Sequence, residues 1–289
     1  MFSYRNYTIK QHWRESLLVL LALANIFVWL AIYQSKDGPL KVYFLDVGQG
    51  DAIFIETPAK KQMLIDGGKN RRVISELGGI MPFGDKTIDI VMATHPDADH
   101  IGGLPAVVER YDVELFLEPG VESDNSLDEE LEKRLNEKNV SQVLARRGQI
   151  INFGDGAKLV ILFPNQDVSN WETNDASIVA KLEYGVSSFL LTGDSPIRIE
   201  NILLNLDKEI LNSDVLKAGH HGSRTSTSLM FAEAISPEYA IVSAGKDNTY
   251  GHPHQEVLNI LQKVGTQILS TVSLGTIKFE TDGQNLKVK

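Results

Sequence analysis

The sequence predicts an α+β domain in which two β-sheets pack face to face and helices cover their outer faces. The main observation is the order of elements, because strand-rich patterns followed by alternating helical and strand patterns occur twice within residues 42–289. Composition agrees, since a chain of 289 residues with 43% hydrophobic and 23% charged residues can bury a large core.

The first half starts with apolar runs at 41–47, 52–57 and 62–66, and a Gly-rich turn separates the first two. This spacing predicts an antiparallel meander. The pattern then changes and predicts, in order, a helix over 71–80, a strand over 87–93, a helix over 104–111, a strand over 113–117 and a charged surface helix over 126–139.

The second half starts near residue 143, where short apolar runs alternate with turns. Strands are predicted over 150–151, 158–163, 177–183 and 187–191. Helices over 197–206, 226–235 and 255–264 then alternate with strands over 214–218 and 239–243, and a closing hairpin is predicted over 267–288.

The N-terminal region holds an apolar run, 17–33, with one strongly polar side chain, Asn25. The run has about the length that a helix needs to cross a bilayer, and Trp13 and Trp29 stand near its two ends. A cleaved signal peptide is the alternative, but the apolar run continues well beyond the small residues around Ala24. We therefore expect one transmembrane helix over about residues 16–34.

This anchor divides the chain into an N-terminal tail and span, 1–38, and a globular domain, 39–289. Three basic residues precede the span: Arg5, Lys10 and Arg14. The positive-inside rule therefore favours a single-pass protein of the cell membrane with a cytoplasmic N-terminus and an extracytoplasmic domain.

Charge and cysteine content restrict the chemistry. The net charge is −10, and residues 1–41 contribute five basic and two acidic side chains, which leaves −13 on the remainder. That excludes a general polyanion-binding surface, so any attraction for nucleic acid must be local. The chain has no cysteine, so a metal ion would have to be held by His, Asp, Glu or Asn.

A cluster of potential metal ligands follows the predicted strand 87–93. The segment ThrHisProAspAlaAspHis, 94–100, contains His95, Asp97, Asp99 and His100. A strand-to-loop corner could direct all four into one pocket, and such a set can bind more than one cation. Imidazoles suit zinc, iron or manganese, and carboxylates shift the preference towards harder ions such as manganese.

Further candidate residues also stand directly after predicted strands, where α/β sheets place their ligands. They are Asp66, Asp194, His220, His221 and His252. His254, two residues after His252, is expected to start a helix instead.

Four motifs in order carry a family resemblance. They are LeuAspValGlyGlnGlyAsp at 45–51, HisProAspAlaAspHisIleGlyGly at 95–103, LeuLysAlaGlyHisHisGlySer at 216–223 and TyrGlyHisPro at 250–253. The second motif resembles the His-x-His-x-Asp-His signature of the metallo-β-lactamase superfamily, with Asp97 in place of the second histidine. Together the motifs resemble the C-terminal hydrolase domain of ComEC-type DNA-uptake proteins. The resemblance implies an αββα four-layer sandwich with two divalent metal ions, zinc or manganese, at one edge.

The resemblance also implies roles for individual residues. It places His95 and Asp97 at a first metal and Asp99, His100 and His252 at a second metal, with Asp194 between the two ions. Asp66 would support the metal loop through hydrogen bonds. The family often has a histidine near Asn174, so the amide oxygen of Asn174 or a water would take that place.

The remaining motif residues are expected near the substrate. The residues predicted to act in catalysis are Asp99, Asp194, His220 and Lys217. The residues predicted to bind a phosphate group or to support the site are His221, Ser223 and Arg224. A solvated strand residue is the alternative interpretation of Lys217.

Taken together, the sequence predicts a membrane-anchored, metal-dependent hydrolase, specifically a phosphodiesterase or nuclease that acts on DNA or another phosphodiester outside the membrane. Two cations that share a carboxylate could activate water and neutralise charge on the scissile group. One alternative is hydrolysis of a small ester, lactone or amide at the same site. The other is a binding module without catalysis, which the missing histidine near Asn174 favours.

Overall fold

The computed structural model describes residues 5–34, 38–246 and 248–289, without the side chains of 5–12 and 30–34. The chain divides into two compact units, one that ends at Gly38 and one over Pro39–Lys289. The first unit contains helix α1, Arg5–Gln34. No helix within the described residues has both the length and the apolar character needed to span a membrane. The anchor over 16–34 therefore remains a prediction, and the side chains at its C-terminal end lie outside the described part.

The second unit contains all the strands that the structure describes. They are β1 Leu40–Phe44, β2 Ile53–Glu56, β3 Gln62–Ile65, β4 Thr87–Met92, β5 Asp112–Glu118, β6 Ser141–Leu144, β7 Ile150–Asn152, β8 Lys158–Phe163, β9 Val179–Tyr184, β10 Ser187–Leu191, β11 Val215–Lys217, β12 Tyr239–Val242, β13 Gln267–Ser270, β14 Ile277–Thr281 and β15 Leu286–Val288.

The α-helices of the same unit are α2 Arg72–Ile80, α3 Ala98–Ile101, α4 Leu104–Arg110, α5 Ser126–Glu137, α6 Ile197–Leu206, α7 Leu229–Ile235, α8 Gln255–Lys263 and α9 Thr271–Leu274. Short 3-10 turns occur at Asn174–Ala176, Lys208–Ile210 and Gly219–Gly222.

The strands form two mixed sheets. The first has the order β15-β14-β1-β2-β3-β4-β5-β6, and the second has the order β13-β12-β11-β10-β9-β8-β7. The predicted meander is confirmed, because β1, β2 and β3 pair antiparallel in sequence order. Strands β3 to β6 then run parallel, as do β10 to β13. Parallel neighbours place their carboxyl ends at one edge of each sheet.

The four-layer αββα arrangement is confirmed by the cores. Alternate residues of β1 face opposite sides, so that Phe44 packs in a core shared with Phe189 of the second sheet, while Tyr43 packs under the helices. Helices α2, α4 and α5 cover the outer face of the first sheet. Helices α6, α7 and α8 cover the outer face of the second. Two-faced burial of this kind is what stacked sheets with external helices require.

The predicted closing hairpin over 267–288 is wrong in its first part. Strand β13 pairs parallel with β12 in the second sheet, and α9 then carries the chain to the first sheet. Only β14 and β15 form a hairpin, and β14 pairs antiparallel with β1. The strand near residue 143 likewise belongs to the first sheet, where β6 is the parallel neighbour of β5. Apolar patterning specifies a strand but not its neighbour, which explains both differences.

The end of β5 offers a prediction on pH dependence. Burial, together with the charges of Glu132 and Asp128, raises the pKa of Glu118 to about 7 from 4.5. A raised carboxyl pKa means stability that is present at low pH and lost as pH rises between these two values. We expect Glu118→Gln to increase the free energy of unfolding at pH 8 by about 1–2 kcal/mol, after allowance for the partial exposure of Glu118.

Chemical denaturation in a chelator at pH 8 and at pH 4 measures this effect. At pH 4 the two proteins should differ little, because Glu118 is protonated both folded and unfolded. The matched control is Glu114→Gln, an exposed position on the same strand, which should change stability by less than about 0.5 kcal/mol at either pH. Equal effects of the two substitutions at pH 8 would contradict the prediction.

Candidate metal centre

Six segments meet at the edge where the parallel strands of both sheets end. The β1–β2 turn brings Asp51, β3 ends at Asp66, β4 leads into residues 94–100, and β10 leads into Asp194. Strand β11 is followed by His220 and His221, and β12 by the segment that contains His252. Sequence-distant carboxylates and imidazoles thus meet because strands of both sheets deliver their loops to the same edge.

Asp66 organises the first sheet's contribution. Its Oδ1 accepts a hydrogen bond from Thr94 N at 2.7 Å, and its Oδ2 accepts one from Thr94 Oγ1 at 2.8 Å. The same Oδ2 lies 2.7 Å from His100 Nδ1. Thr94 Oγ1 in turn lies 3.0 Å from His95 Nδ1. One buried carboxylate therefore sets the position of both histidines, in agreement with its predicted supporting role.

His221 is held from the second sheet in the same manner. Its Nδ1 lies 2.9 Å from the carbonyl oxygen of Ser243. The Nδ1 atoms of His95, His100 and His221 thus each face an oxygen atom of the chain, and a neutral imidazole with its hydrogen on Nδ1 would present the Nε2 lone pair to the centre. This tautomer, fixed by the neighbouring oxygens, is the one that can bind a metal ion.

Asp194 lies among these imidazoles. Its Oδ1 is 3.3 Å from His100 Nε2, and its Oδ2 is 3.3 Å from His221 Nε2 and 4.0 Å from His95 Nε2. Burial would raise the pKa of the Asp194 carboxyl, but the charges of His221 and His100 outweigh burial and hold it well below the usual value. Asp194 therefore stays ionised at its position among the imidazoles of His95, His100 and His221.

A compact donor set is formed by Asp51, His100, Asp194 and His221. One ligand atom from each of these buried residues lies within 4.8 Å of all the others. The Nε2 atoms of His100 and His221 face each other at 3.3 Å, although two lone pairs repel at that distance. Asp51 Oδ1 and Asp194 Oδ1 are buried without a hydrogen-bond partner among the described residues. A divalent cation would satisfy all of these atoms, so the residues fit a metal ion.

A second donor group adjoins the first on the side of His95. The Nε2 of His95 is buried and unpartnered among the described residues, 3.6 Å from Asp97 Oδ2. Asn174 Oδ1 is also buried without a described partner. Its loop is attached to the centre, because Ser177 Oγ accepts a hydrogen bond from Asp194 N at 3.3 Å. Asn174 therefore remains a candidate to take the place of a histidine ligand.

The other predicted residues lie around this centre at different depths. Asp99 Oδ2 is 3.4 Å from His221 Nε2, which places Asp99 beside the compact donor set. The partly exposed His220 has its Nε2 3.7 Å from Asp194 Oδ2. His252 lies next to it, with ring centroids 5.5 Å apart, and its Nδ1 is buried without a described partner. These three remain candidates for the roles predicted from the sequence.

Lys217 is not the solvated strand residue of the alternative interpretation, while its catalytic role remains a prediction. Its side chain is fully buried, and its Nζ lies 2.6 Å from Asp51 Oδ2 and donates to the Ala218 carbonyl oxygen at 3.0 Å. An ammonium group held there is shielded from solvent and holds the Asp51 carboxylate in place. Burial would raise the pKa of the Asp51 carboxyl, but the charges of Lys217, His221 and His100, together with a hydrogen bond from His221, lower it to about 2.

Ser223 and Arg224 follow the two histidines without joining the donor set. Ser223 is buried, and its Oγ lies 3.0 Å from Thr225 Oγ1. Arg224 is exposed, and its backbone N donates to His254 Nδ1. His254 precedes α8 as its N-cap residue, as predicted. A substrate role for Ser223 or Arg224 remains a prediction.

The sequence patterns did not identify Asp51, and they assigned His221 to phosphate binding or support of the site and not to the metal ligands. The available signal was Gly50, which precedes Asp51 in the Gly-rich turn. A Cβ at Gly50 would lie 1.8 Å from the Asp99 carbonyl oxygen, and φ there is +107°. Only glycine permits such an approach, so this turn must pack against the metal loop and bring Asp51 with it.

Asp66 offers a test of the hydrogen-bond network. We expect Asp66→Asn to weaken metal binding by about 10- to 100-fold. Asp66 accepts hydrogen bonds at both carboxylate oxygens, whereas an amide has one acceptor oxygen and would place its NH2 group against the donors on the other side. Asparagine tolerates the positive φ of 59° at this position, so the backbone should be retained. Competition with a chelator of known affinity measures the change, and unaltered metal affinity would contradict the assigned network.

Comparisons with known proteins agree with this geometry. The metallo-beta-lactamase superfamily matches residues 45–246. The chain is 33% identical over 272 residues to ComE operon protein 3 of Bacillus subtilis (strain 168), which covers 88% of this chain and 35% of the relative. It is 32% identical over 238 residues to Competence protein ComA of Neisseria gonorrhoeae, which covers 81% of this chain and 31% of the relative.

The chain thus spans about a third of the length of these curated relatives. Among solved structures, the metallo-beta-lactamase fold protein YhfI from Bacillus subtilis matches with a TM-score of 0.57 at 14% identity, over 84% of this chain and 100% of that one. This likeness shows the fold. From the residues matched and the two-sheet architecture, the chain belongs to the metallo-β-lactamase superfamily and is similar to the hydrolase domain of ComEC-type competence proteins.

Proposed function

We propose that this chain is a metal-dependent phosphodiesterase that acts on DNA. The observation that carries the proposal is a set of buried atoms at one sheet edge. Each could bind a metal ion, and none has a hydrogen-bond partner among the described residues. They are Asp51 Oδ1, His95 Nε2, Asn174 Oδ1, Asp194 Oδ1 and His252 Nδ1. Buried polar atoms normally have hydrogen-bond partners, so five unpartnered atoms around one centre are best explained by bound cations.

The residues of the site divide into those that would bind a metal ion and those that would contact the substrate. Asp51, His100, Asp194 and His221 would hold one divalent ion, and His95, Asp97 and Asn174 would hold a second, with Asp194 between them. When bound, such ions polarise a phosphoryl oxygen and lower the pKa of water. The Nδ1 of His252, which has no partner among the described residues, would join the metal ligands. His220 is partly exposed beside Asp194, so its imidazole can donate a hydrogen bond to an oxygen of the scissile group.

A phosphodiester is supported over other substrates by the relatives. One is named as a competence protein, and the ComEC-type proteins that the motifs resemble take up DNA. The negative net charge of the domain requires that a polyanion be attracted locally, which a dinuclear cation centre would do. A small ester or lactone is uncharged at its reacting carbonyl, so its binding does not need the attraction of a polyanion by cations.

The test is a metal count combined with a substrate panel. The full-length chain, solubilised in non-ionic detergent, would be loaded with manganese or zinc and assayed on single-stranded DNA, bis(4-nitrophenyl) phosphate, a lactone and an aryl ester. We expect two metal equivalents per chain and hydrolysis of the phosphodiesters. Hydrolysis of the lactone or ester alone would replace the proposal by the small-molecule hydrolase. A chain that binds no metal would favour a binding module.

We also propose that the N-terminal segment anchors the chain in the cell membrane, with the second unit outside. Support comes from the apolar sequence 17–33 and the basic residues before it. Protease added to intact cells should remove the domain and leave a short N-terminal fragment in the membrane fraction. Protection of the domain in intact cells, with cleavage only after lysis, would reverse the proposed orientation.

A further inference from the structure

A groove of about 400 Å³ lies beside the metal centre, between the β1–β2 turn, the start of α2 and the segment after β12. Three basic side chains line it: Lys69, Arg72 and Lys246. None of the lining residues within the described ranges is acidic. Residues 42–289 carry a net charge of −13, whereas the described lining of this groove is basic, so the groove is a local region of positive charge.

The floor of the groove is also a wall of the metal centre. Gln49 Nε2 donates to Asp99 Oδ2 at 3.3 Å, and Gln49 Oε1 accepts from Gly245 N at 3.1 Å. A Cβ at Gly245 would lie 3.0 Å from Gln49 N, so the two segments are in close contact. A polymer bound in the groove would thus continue directly into the metal centre.

The three cations differ in how much of their charge is available. Arg72 Nη2 pairs with Asp46 Oδ2 at 2.6 Å, which neutralises part of its charge and fixes the guanidinium over Gly48. Lys69 and Lys246 are exposed, and neither pairs with a carboxylate of the residues that the structure describes. Two ammonium groups without a carboxylate partner among the described residues are therefore available to phosphates.

An aromatic ring completes the groove next to the centre. Tyr250 is 64% exposed, and its ring stacks on that of His252 with centroids 5.6 Å apart and an interplanar angle of 21°. His252 is held from below by Asn248, whose Oδ1 accepts from His252 N at 2.9 Å. The outer face of the tyrosine ring is open to a planar group.

We propose that this groove binds single-stranded nucleic acid on one side of the scissile phosphodiester, with Lys69 and Lys246 on phosphates and Tyr250 stacked on a base. The inference rests on the proposed phosphodiesterase function. Cations that follow a backbone, together with an exposed aromatic platform, are the combination by which single strands are held without sequence preference. A base-paired duplex would not offer a free base to Tyr250.

The experiment measures the affinity of the metal-loaded, full-length chain for a fluorescent phosphorothioate strand of about twelve deoxythymidines, over a range of salt concentrations. Each phosphate contact to a single strand contributes about 0.7 to the slope of log affinity against log salt. The double variant Lys69→Gln, Lys246→Gln should therefore bind more weakly and lower the slope by about 1.4. Tyr250→Ala should weaken binding about tenfold.

The matched control is Lys138→Gln, Lys208→Gln, which removes two exposed positive charges away from the groove and should leave the salt slope as in the wild type. Groove variants that bind as tightly as this control would overturn the inference, as would a wild-type chain that does not bind the strand. Hydrolysis of bis(4-nitrophenyl) phosphate tests the proposed function separately. If no metal supported this hydrolysis, the proposed phosphodiesterase function would be wrong. The salt slope would still decide whether the groove binds nucleic acid.

Discussion

Asp194→Ala is expected to reduce kcat/KM for phosphodiester hydrolysis by about a thousandfold or more. The carboxylate lies between the imidazoles of His95, His100 and His221, so that its removal takes an anionic donor from both halves of the centre. Loss of several kcal/mol of charge stabilisation corresponds to a rate change of that size. Steady-state rates at saturating manganese, together with the metal content of the purified variant, measure the effect.

Asp112→Ala serves as the control for Asp194→Ala. Asp112 is an exposed carboxylate at the start of β5, at the opposite end of that strand from the centre. We expect its replacement to leave both rate and metal content close to the wild-type values. A folded Asp194→Ala variant with full activity would exclude this centre as the catalytic site.

Lys217→Met is expected to destabilise the fold by about 3–5 kcal/mol. The Lys217 ammonium and the Asp51 carboxylate form an ion pair at 2.6 Å with both side chains almost completely buried. Removal of one partner leaves the other as an uncompensated buried charge, which is much more costly than replacement of both. Urea unfolding in excess chelator measures the protein without the contribution of bound metal.

Two further proteins make the Lys217 result specific. Lys158→Met breaks the Lys158–Glu183 pair, which has a similar distance of 2.9 Å but is solvent-exposed, and should cost less than about 1 kcal/mol. The double variant Lys217→Met, Asp51→Leu should recover part of the lost stability because no charge remains unpaired. If both single lysine substitutions lowered the free energy of unfolding equally, burial of the Lys217–Asp51 pair would have no effect on stability, and the prediction would be wrong.

Much of the local structure could be predicted from residue patterns. The runs at 158–163, 187–191 and 197–206 coincide with β8, β10 and α6 to the residue, because each combines a clear apolar period with Gly, Pro or polar residues at its ends. The metal loop could be predicted as well, since four ligand-type side chains within six residues are rarely accidental. Asp66, Asp194 and His252 were identified because each follows a strand.

The pairing of distant elements could not be predicted in the same way. Strand β13 has the same kind of apolar pattern as β14, yet it joins the second sheet and β14 joins the first. For a related reason, the contact between Lys217 and Asp51 was not predicted. Whether a lysine after two apolar residues is solvated or buried depends on the partner that lies opposite, and Asp51 is far away in the chain.

The sequence by itself therefore determined the elements, the family and most of the ligand-type residues, because these depend on local periodicity and on motifs of a few residues. Only the tertiary structure decided that Asp51 and His221 complete the donor set and that Lys217 faces a carboxylate. It also decided that Lys69, Lys246 and Tyr250 share one groove. The physical reason is that ligand sets and charged grooves are made by loops from different strands, and strand order is set by packing of the whole sheet.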